Sequence, residues 1–323
     1  MGIARTTRHT LVLPAAGDDV GELPLDILIA QPASGGCGAG DALILFVLDP
    51  EPVLFGVAAL HSYSGTGYFA QVLDAPEAAY RRLYVVGVGH SRESFASSAG
   101  GSDGIPWDAA ALRALRRRDF PPLDHPAIRQ GKGRNAHAKR LAEAFASTIF
   151  PHVEVELLGL GRDARPRRAL LGASYSSTLA LQVLLASPEA VDAYILGSPS
   201  VPFDPIILEW LREAPASAHR APAAFIAYGA LEREEPPSPP SSPDAPPRYT
   251  RLPANVHYRI PDGSHELAAV LRERGVASEV VELAGEDHTT MKLPLVSRGL
   301  SWLLGSRWAE AGTANVGLSR CRE

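Results

Sequence analysis

The sequence predicts a three-layer α/β domain on a mostly parallel, eight-stranded sheet, and three observations predict it. Six short runs are apolar almost without a break, as strands are when helices cover both their faces. Segments of helix length alternate with the later runs, and that succession builds parallel sheets with right-handed crossovers. The chain also has the material: 323 residues, 46% hydrophobic and 21% charged, suffice for a sizeable core and exclude disorder, collagen and small disulfide scaffolds.

In chain order, Thr7–Leu13 and Leu25–Gln31 are alternating β-rich stretches separated by the Gly- and Asp-bearing turn AAGDDVGEL, as an antiparallel pair requires. They fall in residues 1–40, read as part of the same domain. Ala42–Leu48 (ALILFVL) and Arg82–Val88 (RLYVVGV) follow as buried parallel strands, and Arg168–Gly172, Ala193–Gly197, Ala223–Gly229 and Ser278–Leu283 continue the series. Helices are expected over Ala136–Phe150, Ser176–Ala186, Ser264–Arg274 and Leu293–Leu304. Ser91–Gly104 is rich in Ser and Gly, and Pro236–Pro247 (PPSPPSSPDAPP) is dominated by Pro and Ser, so neither buries enough apolar surface to offset its ordering entropy. Both read as surface loops, the second with a polyproline ligand for SH3- or WW-type domains as its alternative. The expected organisation is one domain over 1–305 with an insertion at 236–247, then a tail over 306–323.

Charge and cysteine content exclude several function classes. Against 36 Asp and Glu stand 31 Lys and Arg, a formal charge of −5, which lacks the basic footprint of a nucleic-acid binder. Cys37 and Cys321 lie near opposite ends without CxxC spacing, so no Cys-based zinc site or disulfide framework is expected. No apolar stretch of secretory length follows Met1–Thr10, and the longest apolar run is far shorter than the ~20 residues of a membrane span. The expectation is a cytoplasmic protein with no membrane or nucleic-acid partner, its oligomeric state left open.

The chemistry is carried by Arg168–Thr178, RALLGASYSST: an apolar strand, then Gly172-Ala173-Ser174-Tyr175-Ser176, then a helix that starts with small residues. A Ser at a tight strand-to-helix turn is held out at the carboxyl edge of a sheet, and small flanking residues are needed because the two backbones nearly touch. The helix start behind Ser174 presents backbone N–H groups to a developing oxyanion, the Tyr175 N–H first. The pattern departs from the usual one at its fifth position, where Ser176 replaces Gly.

A Ser nucleophile needs a His base and an acid that orients it, here in the chain order Ser, acid, His. His288, in Gly285-Glu286-Asp287-His288-Thr289, follows the last expected strand and is the base candidate. His90 and His265 read as structural or surface residues. The strand Ala223–Gly229 runs into Ala230-Leu231-Glu232-Arg233-Glu234-Glu235, which makes Glu232 the acid candidate, with Asp204 in reserve. The same acidic run also reads as a solvated entry to the Pro/Ser-rich loop.

From Arg168 to Asp204 the chain resembles the esterase family of α/β-hydrolases that contains esterase D-like proteins and the enterobactin and bacillibactin trilactone esterases. Leu45–Asp49 (LFVLD), Val85–Gly89 (VVGVG) and Arg117–Pro121 (RRDFP) are similar to three further family elements in order, and GALERE and AGEDHTT to its acid- and His-bearing ends. The resemblance covers about 40 to 304. It implies an α/β-hydrolase fold, with Ser174 as nucleophile, His288 as base and Glu232 as acid, acting on a carboxylic ester. Pro50 stands where the family has Gly in the loop of the second oxyanion donor; proline has no N–H, which leaves the Glu51 N–H as candidate. By resemblance, the basic cluster Arg113, Arg116, Arg117 and Arg118 lies near an anionic substrate such as a catecholate siderophore, with Arg117 and Arg118 as substrate-binding candidates. Read from the residues alone, the same cluster is a solvated helix face.

The expected function is a serine esterase with a small-molecule ester substrate and no cofactor or metal. Two alternatives stand beside it: acyl transfer to an acceptor other than water, which shares the machinery, and a catalytically impaired homologue that serves as a binding or interaction module, to which Pro50, Ser176 and the Pro-rich loop point.

Overall fold

The computed structural model describes residues 6–15, 21–31, 42–49, 83–91, 115, 119–120, 136–215, 221–233 and 259–305. All eight expected strands are present: β1 Thr6–Leu13, β2 Leu23–Ala30, β3 Leu43–Leu48, β4 Leu83–His90, β5 Arg167–Ala173, β6 Ala193–Gly197, β7 Ala223–Gly229 and β8 Ala277–Leu283. They form one sheet in the order β1-β2-β4-β3-β5-β6-β7-β8. β1 pairs antiparallel with β2 and β2 antiparallel with β4, and every later neighbour is parallel.

The register explains the apolar runs. In β3, Leu43, Leu45 and Val47 enter one core layer while Ile44, Phe46 and Leu48 enter the other, so neither face tolerates a polar residue. The first layer is covered by α5 (Lys292–Leu304) among the described residues. The second is covered by α1 (Ala136–Ala144), α2 (Tyr175–Ala186), α3 (Ile206–Glu213) and α4 (Ile260–Glu273). From β3 the chain steps outward to β4, then returns to pair β5 with the other side of β3. Such a reversal opens a crevice at the carboxyl ends of the flanking strands, where open α/β sheets bind ligands.

Helices depart from expectation where local chemistry is unusual. The segment expected over Ala136–Phe150 runs on to Leu157, through π-helical turns at Phe145–Ile149 and His152–Leu157. Pro151 lies between them; it removes an i→i−4 donor and its ring crowds a preceding carbonyl, which the wider turns relieve. The same spacing sends Phe145, Ile149 and Val153 fully into the core. α4 starts at Ile260, four residues before the expected Ser264, because Pro261 is pre-set for a first helical turn and Gly263 packs closely against Pro202. α3 was absent from the expected elements; its short apolar face, Ile207, Leu208 and Leu211, gives little periodicity to read.

No helix among the described residues is long and apolar enough to cross a membrane. The Ser/Gly-rich stretch beyond Ser91, the insertion at 236–247, the tail at 306–323 and both cysteines lie outside the described residues.

Candidate active site

Three strand ends meet at the carboxyl edge of the sheet with a non-glycine residue at positive φ: Asp49 after β3, Ser174 after β5 and Ser198 after β6. Such conformations cost roughly 1–3 kcal/mol each and persist only where the surroundings over-determine them. At Ser174 (φ 59°, ψ −124°) the cause is the turn itself: β5 ends and α2 begins with no intervening loop. A Cβ on Gly172 would lie 2.5 Å from the Ser176 carbonyl oxygen, so the first position of the elbow accepts only glycine.

Ser176, the departure from the usual pattern, is accommodated. Its hydroxyl turns back onto the strand end, donating to the Ala173 carbonyl at 2.8 Å and accepting the Ala173 N–H at 3.0 Å. Ser177 adds a donor to the carbonyls of Gly172 and Gly197, at 2.8 and 3.0 Å. The two hydroxyls brace strand and helix where their backbones approach most closely.

Ser174 Oγ lies 3.1 Å from His288 Nε2, and His288 Nδ1 lies 2.6 Å from Glu232 Oε1. Glu232 is 3% exposed, yet its other oxygen accepts the Gly229 N–H and the Ser198 hydroxyl, both at 2.7 Å. The two donors occupy Oε2, which leaves Oε1 as the acceptor that faces His288. The proton of His288 is thereby held on Nδ1, and Nε2 faces Ser174 as an acceptor. Glu232 sits in the 3₁₀ turn Ala230–Arg233 directly after β7, and the Leu231 N–H bonds the Glu286 carbonyl at 3.0 Å, tying the acid-bearing turn to the His-bearing loop.

That loop is held by Asp287, whose carboxylate accepts the N–H groups of Thr289 and Thr290 at 2.7 and 2.8 Å. Burial draws the Asp287 carboxyl upward, but hydrogen bonds from Thr290 and Thr289 outweigh it and hold it below the ordinary carboxylate range.

Of the remaining candidates, Tyr175 is the first residue of α2, in the turn whose N–H groups find no acceptor within their own helix. Glu51, Arg113, Arg116, Arg117 and Arg118 lie outside the described residues, as does Pro50. Asp204, the reserve acid, caps the 3₁₀ turn Val201–Phe203, while the carboxylate bonded to His288 is that of Glu232. Burial pushes the Asp204 carboxyl up to about 7. His90 is buried, 2.6 Å from Asp119 and stacked on Phe120, and His265 lies 3.1 Å from the Tyr228 hydroxyl. No metal-binding group of three or more His, Cys, Asp and Glu occurs among the described residues.

Sequence reasoning passed over Ser198 and Ser200. Ser198 bonds Glu232 as described, and Ser200 Oγ lies 3.2 Å from Ser174 Oγ. Their only sequence signal was position: both follow a strand that the parallel order sets beside β5.

No family model matches the chain. It is 28% identical to the ferri-bacillibactin esterase BesA of Bacillus subtilis over 211 residues, 62% of this chain and 66% of that protein. It is 33% identical to the siderophore triacetylfusarinine C esterase of Aspergillus fumigatus over 144 residues, 42% of this chain and 48% of that one. The chain thus matches just under two thirds of the length of the first relative and about half of the second. The solved structure of siderophore hydrolase EstA from Aspergillus nidulans is similar with a TM-score of 0.63 at 22% identity, covering 94% of this chain and 96% of that one. Sheet order, strand-to-helix elbow and the likeness to solved structures together give the chain an α/β-hydrolase fold, and its sequence is similar to those of siderophore esterases.

Proposed function

We propose that the protein is a serine esterase that cleaves carboxylic esters of siderophore type through an acyl-enzyme at Ser174. The observation that carries this reading is the unbroken relay from Ser174 Oγ through His288 to Glu232, at 3.1 and 2.6 Å. Ser174 Oγ attacks the ester carbonyl carbon while His288 Nε2 takes its proton, and Glu232 stabilises the imidazolium that forms. The carbonyl oxygen becomes an oxyanion, met by the Tyr175 N–H and, as second donor, the Glu51 N–H. Collapse breaks the bond to the leaving alcohol, which takes the proton from His288 Nε2. Water then adds to the acyl-enzyme, giving its proton to His288; the acid departs and Ser174 Oγ recovers the proton.

The substrate class rests on two relatives whose names carry bacillibactin and triacetylfusarinine C. Arg117 and Arg118 are the residues we assign to an anionic siderophore, because a guanidinium pairs well with a deprotonated catechol or carboxylate oxygen. The chemistry is complete without a cofactor.

Replacing Ser174 with alanine is expected to leave the thermal midpoint unchanged and to lower hydrolysis of p-nitrophenyl esters and of a trilactone siderophore by about 10⁶. Fluorophosphonate labelling should vanish with it. Turnover retained in Ser174→Ala overturns the nucleophile assignment.

A further inference from the structure

One loop touches both ends of the relay. Directly after β6, Ser198-Pro199-Ser200 sends the Ser198 hydroxyl to Glu232 and brings the Ser200 hydroxyl to Ser174 Oγ. The loop is pinned, since the Ser198 N–H bonds the Ala227 carbonyl at 2.7 Å and the Phe203 N–H bonds the Ser200 carbonyl at 3.0 Å. Ser200 is 1% exposed, and a buried hydroxyl without a partner costs about 1–3 kcal/mol, so its placement beside Ser174 Oγ satisfies it.

The direction of that bond follows from donor accounting. With its proton on Nδ1, facing Glu232, His288 can only accept at Nε2, so the single Ser174 O–H points there. Ser174 Oγ therefore accepts from Ser200, whose O–H is the donor. We propose that Ser200 is a further catalytic residue, whose hydroxyl donates to the attacking oxygen of Ser174 through their 3.2 Å contact.

Two effects follow. One Ser174 lone pair is occupied by Ser200 and the O–H by His288, which leaves one lone pair for the substrate and fixes the rotor of the nucleophile. As the proton moves to His288, negative charge gathers on Ser174 Oγ, and a hydrogen bond to a charged acceptor is stronger than one to a neutral acceptor. The Ser200 bond therefore strengthens on the way to the transition state, the condition for accelerating the chemical step rather than binding alone. No atom is transferred to or from Ser200.

The inference rests on the reading of Ser174 as nucleophile, and the test separates the two. Ser200→Ala, Ser200→Thr and Ser174→Ala are assayed for fluorophosphonate labelling rate, for kcat and KM with p-nitrophenyl butyrate, and for thermal midpoint. Loss of the donor should slow labelling and kcat by about tenfold, the effect of one ordinary hydrogen bond, with KM unchanged. Ser200→Thr keeps a hydroxyl and should recover most of the rate. A labelling rate in Ser200→Ala within about twofold of the parent, or Ser200→Thr losing as much as Ser200→Ala, overturns the Ser200 assignment. Activity retained in Ser174→Ala overturns the earlier reading instead.

Discussion

A carboxylate that accepts two hydrogen bonds on one oxygen is fixed in orientation, and that fact sets the outcome of its neutral replacement. In Glu232→Gln the Gly229 N–H, which cannot rotate, keeps the amide oxygen on its side and turns the NH₂ toward His288. An NH₂ donates, so His288 Nδ1 must become an acceptor and its proton moves to Nε2, where it can no longer receive that of Ser174. The variant should fold with unchanged spectroscopic signature and lose turnover by up to about 10⁴, as such acid-to-amide changes do in Ser-His-acid sites. Steady-state kcat beside a circular dichroism spectrum checks it; an active Glu232→Gln shows that the carboxylate is dispensable.

Among the elements, the β7 end and the loop before α5 depend on one close approach. A Cβ on Gly229 would run into the Glu286 carbonyl and the Asp287 backbone, the two residues ahead of His288. Gly229→Ala should thus push the His-bearing loop away from Glu232. A misplacement of about 1 Å at a reacting group costs about 10² in rate, while overpacking of this kind costs about 1–3 kcal/mol in stability. The expected result is a folded protein whose fluorophosphonate labelling falls about a hundredfold; labelling at the parent rate shows that the loop absorbs the methyl without moving His288. The elbow is the mirror case: Gly172 lets strand and helix approach, and Ser176 and Ser177 fill the remaining hydrogen-bonding needs.

For the whole molecule, Asp204 couples stability to pH. Its folded pKa is about 7 because burial disfavours the charged form, against about 4 in an unfolded chain. Between those values the folded state holds more protons than the unfolded one, so stability falls as pH rises through about 4 to 7 and levels off above. Asp204→Asn removes that slope. Urea unfolding at pH 5 and pH 8 should show the parent losing about 2–3 kcal/mol more over this interval than Asp204→Asn. Equal changes in both proteins exclude Asp204 as the source. At this same scale the division between local and tertiary information is plain. Apolar runs, the Gly172-to-Ser176 turn and the order of Ser174, Glu232 and His288 are written in short contiguous stretches, because strand burial and tight-turn sterics act within a few residues. The sequence by itself therefore determined the eight-stranded sheet and nominated the three residues that meet at its edge. It did not determine that the carboxylate at His288 is Glu232 rather than Asp204, that Ser176 satisfies the strand end, or that two loop serines flank the relay. Ser198 meets a residue 34 positions away and Ser200 one 26 positions away, and loop serines look alike until the sheet order sets β6 between β5 and β7. Only the tertiary structure decides such contacts, because hydrogen-bond partners distant in the chain are chosen by the order of strands in the sheet, which runs that are apolar on both faces leave open.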